Sequence, residues 1–448
     1  MRYDIVIHNG KIITINTTFD IIANGIVCIK GGKLQRIGTA DSHSPLPPAE
    51  DTIDAEGGII MPGLVNAHTH LPMTLFRGLA DDLPLLEWLN TYIFPAESKH
   101  INLESTRLGS LLGCAEVILS GTTTCCDGYF YEDGVASAVY ESGLRAILGQ
   151  GIIDFPAPGV PDPSGNIQNA VAFVEKWQHV SGLISPSIFC HSPYTCSAAT
   201  LKKAKSAAIS QGLLFQIHVA ETKAEWDQIR SEHRTSPIQY LDRIGILDEN
   251  TLLVHAIWVD PTDIGIIAKR NAKVVHNPES NMKLGSGIAP IPEFLAAGIA
   301  VGLGTDGCAS NNNLDLFQEM DFAAKLHKVN TLDPTVMDAR TILKMATIDG
   351  AKAIGLDKDT GSLEIGKQAD VIIIDTCKAH LVPMYNPISH IVYSACGSDV
   401  RDVVVAGKSI LRNRKLLTID IKEIIEKVTR LGASVYYSPS NSVNENTL

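Results

Sequence analysis

Apolar positions along this chain recur in two textures, and the change between them divides it. Over residues 1–60 they form short β-type runs: Tyr3-Asp4-Ile5-Val6-Ile7, Lys11-Ile12-Ile13-Thr14-Ile15 and Gly25-Ile26-Val27-Cys28-Ile29. Asn9-Gly10 and Lys30-Gly31-Gly32 separate them, and both read as hairpin signals. The texture returns in Ala369–Asp375 and Val400–Val405, each beside a Gly-Lys turn. Neither end carries enough apolar residues for a core of its own. The two are therefore expected to pair into one small β-sandwich domain.

Between the ends, strand-like runs alternate with helical periodicity. The first run closes with Pro62-Gly63-Leu64-Val65-Asn66-Ala67-His68-Thr69-His70. Seven more follow, at Gly121–Cys126, Arg145–Leu148, Ser187–His191, Leu214–His218, Thr251–His255, Lys273–His276 and Ala300–Asp306. Helical spacing fills the gaps, as in Leu108, Leu111, Leu112, Ala115, Ile118 and Leu119. Eight β–α units in sequence predict a (β/α)8 barrel, an α/β fold whose site lies at the C-terminal ends of its strands. The expected organisation is residues 1–60 as the N-terminal part of the sandwich and 61–366 as the barrel. Residues 367–437 supply the C-terminal part of the sandwich and a closing helix, and the Ser/Asn-rich 438–448 a flexible tail.

Composition narrows the class. The 448 residues are 45% hydrophobic and 19% charged, with a formal charge of −12. That charge, with no basic patch, argues against a nucleic-acid partner and for a small-molecule substrate. No apolar run has transmembrane length, and the first residues lack a signal-peptide core. Nine cysteines without a CxxC pair are expected to be free, buried thiols in a reducing, cytoplasmic setting.

Histidines and acids close the predicted strands, where a barrel places its chemistry. In an extended segment residues i and i+2 share a face, so His68 and His70 can reach one point. If His218 and Asp306 converge there too, three imidazole nitrogens and a carboxylate suit zinc or a neighbouring first-row metal. Such an ion lowers the pKa of water from about 15.7 to about 7. Asp306 can also accept the proton released, and His255 is placed to orient the water. Glu221, where the chain turns after His218, suits proton shuttling. The fourth run ends Phe189-Cys190-His191, without the lysine with which many barrel hydrolases bridge two metals, so one divalent ion is expected. An aromatic C–N carbon is a fitting target, with loss of ammonia. His276 and Glu116 read as structural, the latter a buried, hydrogen-bonded or capping acid, and His191 as either a core or a site residue. His100, His179, His233, His327 and His380 read as solvated.

Taken together, Pro62–His70, His218-Val219-Ala220-Glu221, His276-Asn277-Pro278-Glu279-Ser280-Asn281 and Gly304-Thr305-Asp306-Gly307 resemble the amidohydrolase superfamily. More narrowly the chain resembles the 5-methylthioadenosine/S-adenosylhomocysteine deaminase group and its triazine-hydrolase relatives. Leu75–Asp82, Trp88-Leu89, Pro95-Ala96-Glu97, Lys283–Gly287 and Ser310-Asn311-Asn312 match as well. The resemblance implies a zinc site of His68, His70, His218 and Asp306, with Glu221 protonating the purine ring and His255 beside the attacking water. It implies that Glu97 binds the ribose hydroxyls, that His191 contacts substrate and that Trp88 forms a pocket wall. It also implies a homo-oligomer. Members that handle S-adenosylhomocysteine often carry an arginine where Gln150 stands, and a neutral amide cannot replace a guanidinium–carboxylate contact. Methylthioadenosine or adenosine is then handled as well or better. The alternative is an amino- or chlorohydrolase of another heteroaromatic ring, such as a triazine, pterin or oxidised purine.

Overall fold

The computed structural model describes residues 2–41 and 45–436; the expected tail, 438–448, lies outside the described residues. Strands β1 (Tyr3–Ile13), β2 (Ile21–Lys30), β3 (Lys33–Thr39), β4 (Ala49–Asp54) and β5 (Ile59–Pro62) come first. The barrel strands are β6 (Leu64–His70), β7 (Thr122–Tyr129), β8 (Arg145–Ile152), β9 (Ile184–Cys190), β10 (Phe215–Val219), β11 (Thr251–His255), β12 (Lys273–His276), β13 (Val301–Leu303) and β14 (Asp306–Gly307). Then β15 (Val371–Ile374), β16 (Val400–Val405), β17 (Lys408–Arg412) and β18 (Lys415–Leu416) return to the first sheet.

The two chain ends do pair. β5 runs antiparallel to β15, with Ile60 opposite Ile373, and the sheet order is β18-β17-β16-β15-β5-β1-β2-β3 with β4 on β1. Its two leaves are thus hydrogen-bonded into one sheet that folds over its own core. Period-two alternation sorts residues between two cores. Ile12, Ile60, Val371 and Ile373 face the core of the sheet, whereas Ile13, Ile59, Met61, Ile372 and Ile374 face the barrel helices.

The turn at Asn9-Gly10 is a correction. β1 continues straight through it, with a bulge that shifts register on either side of Gly10 and leaves Asn9 at φ +58°. The physical reason is a change of partner: the first half of β1 pairs with β4 and the second half with β5. Bulges bend a strand in this way. Lys30-Gly31-Gly32 is a hairpin as expected, both glycines having positive φ.

The barrel strands lie parallel in sequence order from β6 to β13, and closure falls to a divided eighth strand. β13 pairs with β12, and β14 pairs with β6 across Asp306–Thr69. At the break, Thr305 N donates to Asn66 Oδ1 (3.1 Å) and Asn66 Nδ2 donates to Thr305 Oγ1 (2.8 Å). A buried side chain thus supplies the rung that the backbone lacks. Ile348–Ala353 is a helix packing beneath β6 and β13, and Ala351, Ala353 and Ile354 meet Val65, Ala67 and Val275. The last helix, Ile421–Tyr436, packs on the barrel helix Leu103–Leu119. It adds Val435 to the cluster around Phe76 and Trp88. None of the described helices is long and apolar enough to cross a membrane.

Two further expectations are corrected. His327 is 1% exposed, with its Nε2 3.2 Å from His276 Nε2. Helical spacing puts it on the same face as Met320, Ala323 and Ala324, all buried. The described cysteines are all free, but Cys377 is exposed and Cys396 only partly covered, both in the loops that join β15 to β16. Glu116 is hydrogen-bonded as expected, by Leu314 N and Arg77, though only part-buried.

One ion pair joins barrel to sheet. Arg145, opening β8, donates from Nε and Nη2 to Asp370 (2.7 and 3.0 Å), just before β15. Ala406 N and Thr360 Oγ1 also donate to this carboxylate, whose side chain is 0% exposed. Removing one partner of such a pair strands the other charge. Asp370→Ala is expected to lower stability by about 3–5 kcal/mol, read as a shift in the urea midpoint; an unchanged midpoint would contradict this role.

Candidate active site

Three strand ends bring the expected ligands together. His68 and His70, alternate residues of β6, point inward, His218 comes from β10 and Asp306 opens β14. Their donor atoms all lie within 4.8 Å of one another. Asp306 Oδ1 is 3.5 Å from His68 Nε2 and 3.3 Å from His70 Nε2, and His218 Nε2 is 3.1 Å from His68 Nε2.

The surroundings set the protons. His70 Nδ1 faces Gly128 O at 2.6 Å and His218 Nδ1 faces His191 O at 2.8 Å. A carbonyl only accepts, so both Nδ1 atoms carry hydrogen and both Nε2 lone pairs are free to ligate. Burial, above all, lowers the basicity of these rings: His68 to about 4, His70 below its ordinary value, and His218 well below it. Burial opposes ionisation of Asp306, but the hydrogen bond with His68 and the neighbouring imidazoles hold its pKa well below the usual range. Ser280 and Ser310 donate to Asp306 Oδ2 (2.7 and 2.8 Å), turning Oδ1 toward the histidines. Neutral imidazole nitrogens and one carboxylate oxygen, converging within 4.8 Å of one another, fit a borderline divalent cation such as zinc.

Glu221 and His255 stand beside this cluster. Glu221 Oε2 is 3.9 Å from His255 Nε2, and His255 Nδ1 bonds Asn281 Oδ1 at 2.8 Å. Burial raises the pKa of Glu221; His255 opposes the shift and Asp306 reinforces it. The backbone here is unusual. Ala220, His255, Ala256 and Asp306 all have φ between +46° and +73°. Left-handed non-glycine residues cost free energy and concentrate where a site dictates the backbone.

A cavity of about 730 Å³ opens over the cluster. His70, His191, His218, Glu221, His255 and Asp306 line its floor, and Met73, Leu85, Trp88, Leu89, Phe94 and Leu284 its apolar walls. Glu97 also faces it, 4% exposed, its Oε1 accepting from Tyr129 OH at 2.5 Å; burial lifts its pKa to about 7. His191 Nδ1 lies 3.0 Å from Thr195 Oγ1, and burial lowers its pKa to about 4. Gln150 is the residue left out. It lines a separate cavity with Tyr131 and Lys176, and its Oε1 accepts from Glu132 N.

Tyr129, Ser280, Ser310 and Asn281 escaped the sequence reading. Tyr129 had a partial signal, since it stands just beyond a predicted barrel strand and ends the observed one. The serines and Asn281 had none beyond lying in matching stretches.

Comparison with known proteins points to one family. The amidohydrolase family profile matches residues 59–410. A 5-methylthioadenosine/S-adenosylhomocysteine deaminase of Syntrophobacter fumaroxidans is 44% identical over 434 residues, covering 97% of this chain and 99% of its own. A 5'-deoxyadenosine deaminase of Methanosarcina acetivorans is 45% identical over 427 residues, covering 95% and 96%. The crystal structure of an adenosine deaminase from Xanthomonas campestris with bound zinc superposes with a TM-score of 0.95 at 33% identity, covering 98% and 99%.

The Ser280–Asp306–Ser310 arrangement carries its own test. Ser280→Ala with Ser310→Ala is expected to weaken metal retention roughly 10–100-fold, measured by chelator competition. Unaltered retention would show that the two hydroxyls do not orient the carboxylate.

Proposed function

The chain belongs to the amidohydrolase family, and from that premise we propose that it hydrolyses the exocyclic C–N bond of adenosine-type nucleosides. 5'-Methylthioadenosine, 5'-deoxyadenosine and adenosine would yield the inosine analogue and ammonia. One observation carries the reading: a single cavity joins the cluster of three histidines and Asp306 to the Glu221–His255 pair and the buried Glu97. The proposed ion is zinc, one per chain, held by His68, His70, His218 and Asp306. When bound, it brings the ionisation of water into the neutral range.

The protein's own groups do the rest. Glu221, its pKa raised by burial, carries a proton to the purine ring nitrogen as water oxygen adds to the adjacent carbon. His255, with Nδ1–H committed to Asn281, keeps Nε2 toward that water and stabilises the charge that develops. Asp306 holds one proton of the water until the leaving amine takes it as ammonia, and the hydroxyl proton of the adduct returns to Glu221 as the C=O bond forms. Glu97 gives one oxygen to Tyr129 and leaves the other facing the cavity, where vicinal ribose hydroxyls are its natural donors. His191 and Trp88 border the bound base and sugar. Among the described residues no lysine or arginine lines the cavity. A carboxylate-bearing tail would enter without a counter-charge, so neutral 5' groups are preferred.

An ultraviolet assay of adenine-to-hypoxanthine conversion tests the reading. Methylthioadenosine and 5'-deoxyadenosine should turn over with a lower KM than S-adenosylhomocysteine, and Glu221→Gln should cut kcat by about 10²–10⁴-fold. Silence of the zinc-loaded protein on all of these nucleosides would overturn it.

Glu97 gives a second, pH-resolved expectation. Its carboxyl stays protonated below about 7 and gains acceptor capacity above it, so KM should fall as pH rises through that value. Glu97→Ala should raise KM about 10–100-fold and abolish this dependence. A silent Glu97→Ala would instead indicate a heteroaromatic substrate without vicinal hydroxyls.

A further inference from the structure

The residues after Glu221 form a familiar local pattern put to a different use. Thr222-Lys223-Ala224-Glu225 opens the helix Lys223–His233, and Thr222 Oγ1 caps it by accepting from Glu225 N (3.2 Å). Threonine followed three residues later by glutamate is the sequence of a capping box, in which the glutamate reaches back to the backbone N–H of the cap residue. Here it reaches further. Glu225 Oε1 accepts from Ala220 N (2.7 Å) and Oε2 from Glu221 N (2.8 Å). Both oxygens are thus spent on two consecutive N–H groups ahead of the helix, and the side chain is buried at 4% exposure.

Those two N–H groups belong to the turn that aims Glu221. Ala220 sits at φ +53°, a conformation an alanine holds only under constraint. Its carbonyl is fixed from the other side, accepting from Ile257 N and Trp258 N (both 2.9 Å), while Ala256 N donates to Val219 O (3.1 Å). The Ala220 link is therefore gripped on one side by Glu225 and on the other by the chain that leaves β11 just after His255. Both members of the 3.9 Å Glu221–His255 pair depend on it.

We propose that Glu225 is a positioning residue for Glu221. Its two-oxygen grip holds the left-handed Ala220 turn, and so sets the distance and direction from which Glu221 delivers its proton. The proposal rests on the reading of Glu221 as the proton carrier. Glu225 does not line the cavity and takes no proton in the proposed reaction.

A double-mutant cycle on the zinc-loaded protein tests this. Glu225→Gln retains size but offers one good acceptor where two are needed. It should lower kcat roughly 10–100-fold, with KM and zinc content little changed. In a Glu221→Gln background the same substitution should cost almost nothing, because its effect runs through the residue already removed. A Glu225→Gln enzyme with unaltered kcat overturns the proposal. So does a loss that persists undiminished in the Glu221→Gln background, which is the mark of a general structural defect. Should Glu225→Gln not fold, as judged by its urea midpoint, Glu225→Asp keeps the carboxyl group, reaches one N–H rather than two, and enters the same cycle. Full activity of Glu221→Gln alone would instead defeat the reading of Glu221, a separate failure.

Discussion

Everything at the mouth of this barrel follows from the burial of imidazoles in their neutral form around one ionised carboxylate. Water would keep such rings half-protonated near neutrality; a dry cavity does not. Desolvation lowers the basicity of His68, His70, His191 and His218 together. Asp306 stays ionised against its burial through the hydrogen bond with His68 and the nearby rings of His70 and His255, while Ser280 and Ser310 donate to its Oδ2. Backbone carbonyls of Gly128 and His191 then fix which nitrogen of His70 and His218 holds hydrogen. The cluster thus has the donor arrangement that a divalent ion would require, and Glu221 and His255 share its low-dielectric surroundings.

That cluster was legible in the sequence because its members end strands. Alternation put His68 and His70 on one face, and the recurrence of His218, His255 and Asp306 at the ends of apolar runs placed them on one rim. The eight strands were visible for a related reason: parallel strands covered on both faces read as near-continuous apolar runs. What escaped had no periodic signature. Asn9-Gly10 has the residues of a hairpin but performs a bulge, because only the tertiary arrangement reveals that β1 changes partners. His327 read as a solvated residue, and its inward turn depends on which face its helix presents.

Carboxylates held by backbone N–H groups were the least visible of all. Glu225 would be read from sequence as an ordinary helix cap, and Asp370 as one charge in a strand approach. Asp370 accepts from Arg145 and Ala406 in other segments, where no spacing rule connects them, and Glu225 accepts from N–H groups four and five residues upstream, outside the capping-box spacing. Gln150 illustrates the converse. Its place in the chain suggested the substrate pocket, but its amide faces a separate cavity. The side chain's direction, which alternation along β8 sets, decides which cavity a strand-end residue serves.

The pairing of β5 with β15 also bears on how the protein is made. Ile59–Pro62 leaves the ribosome roughly three hundred residues before its partner Val371–Ile374 has been synthesised. At about 5–20 residues per second that interval is on the order of 15–60 s. Throughout it the N-terminal strands present an unpaired apolar edge, of the kind that recruits other nascent chains. The closed sheet can therefore be completed only after the C-terminal strands have been made.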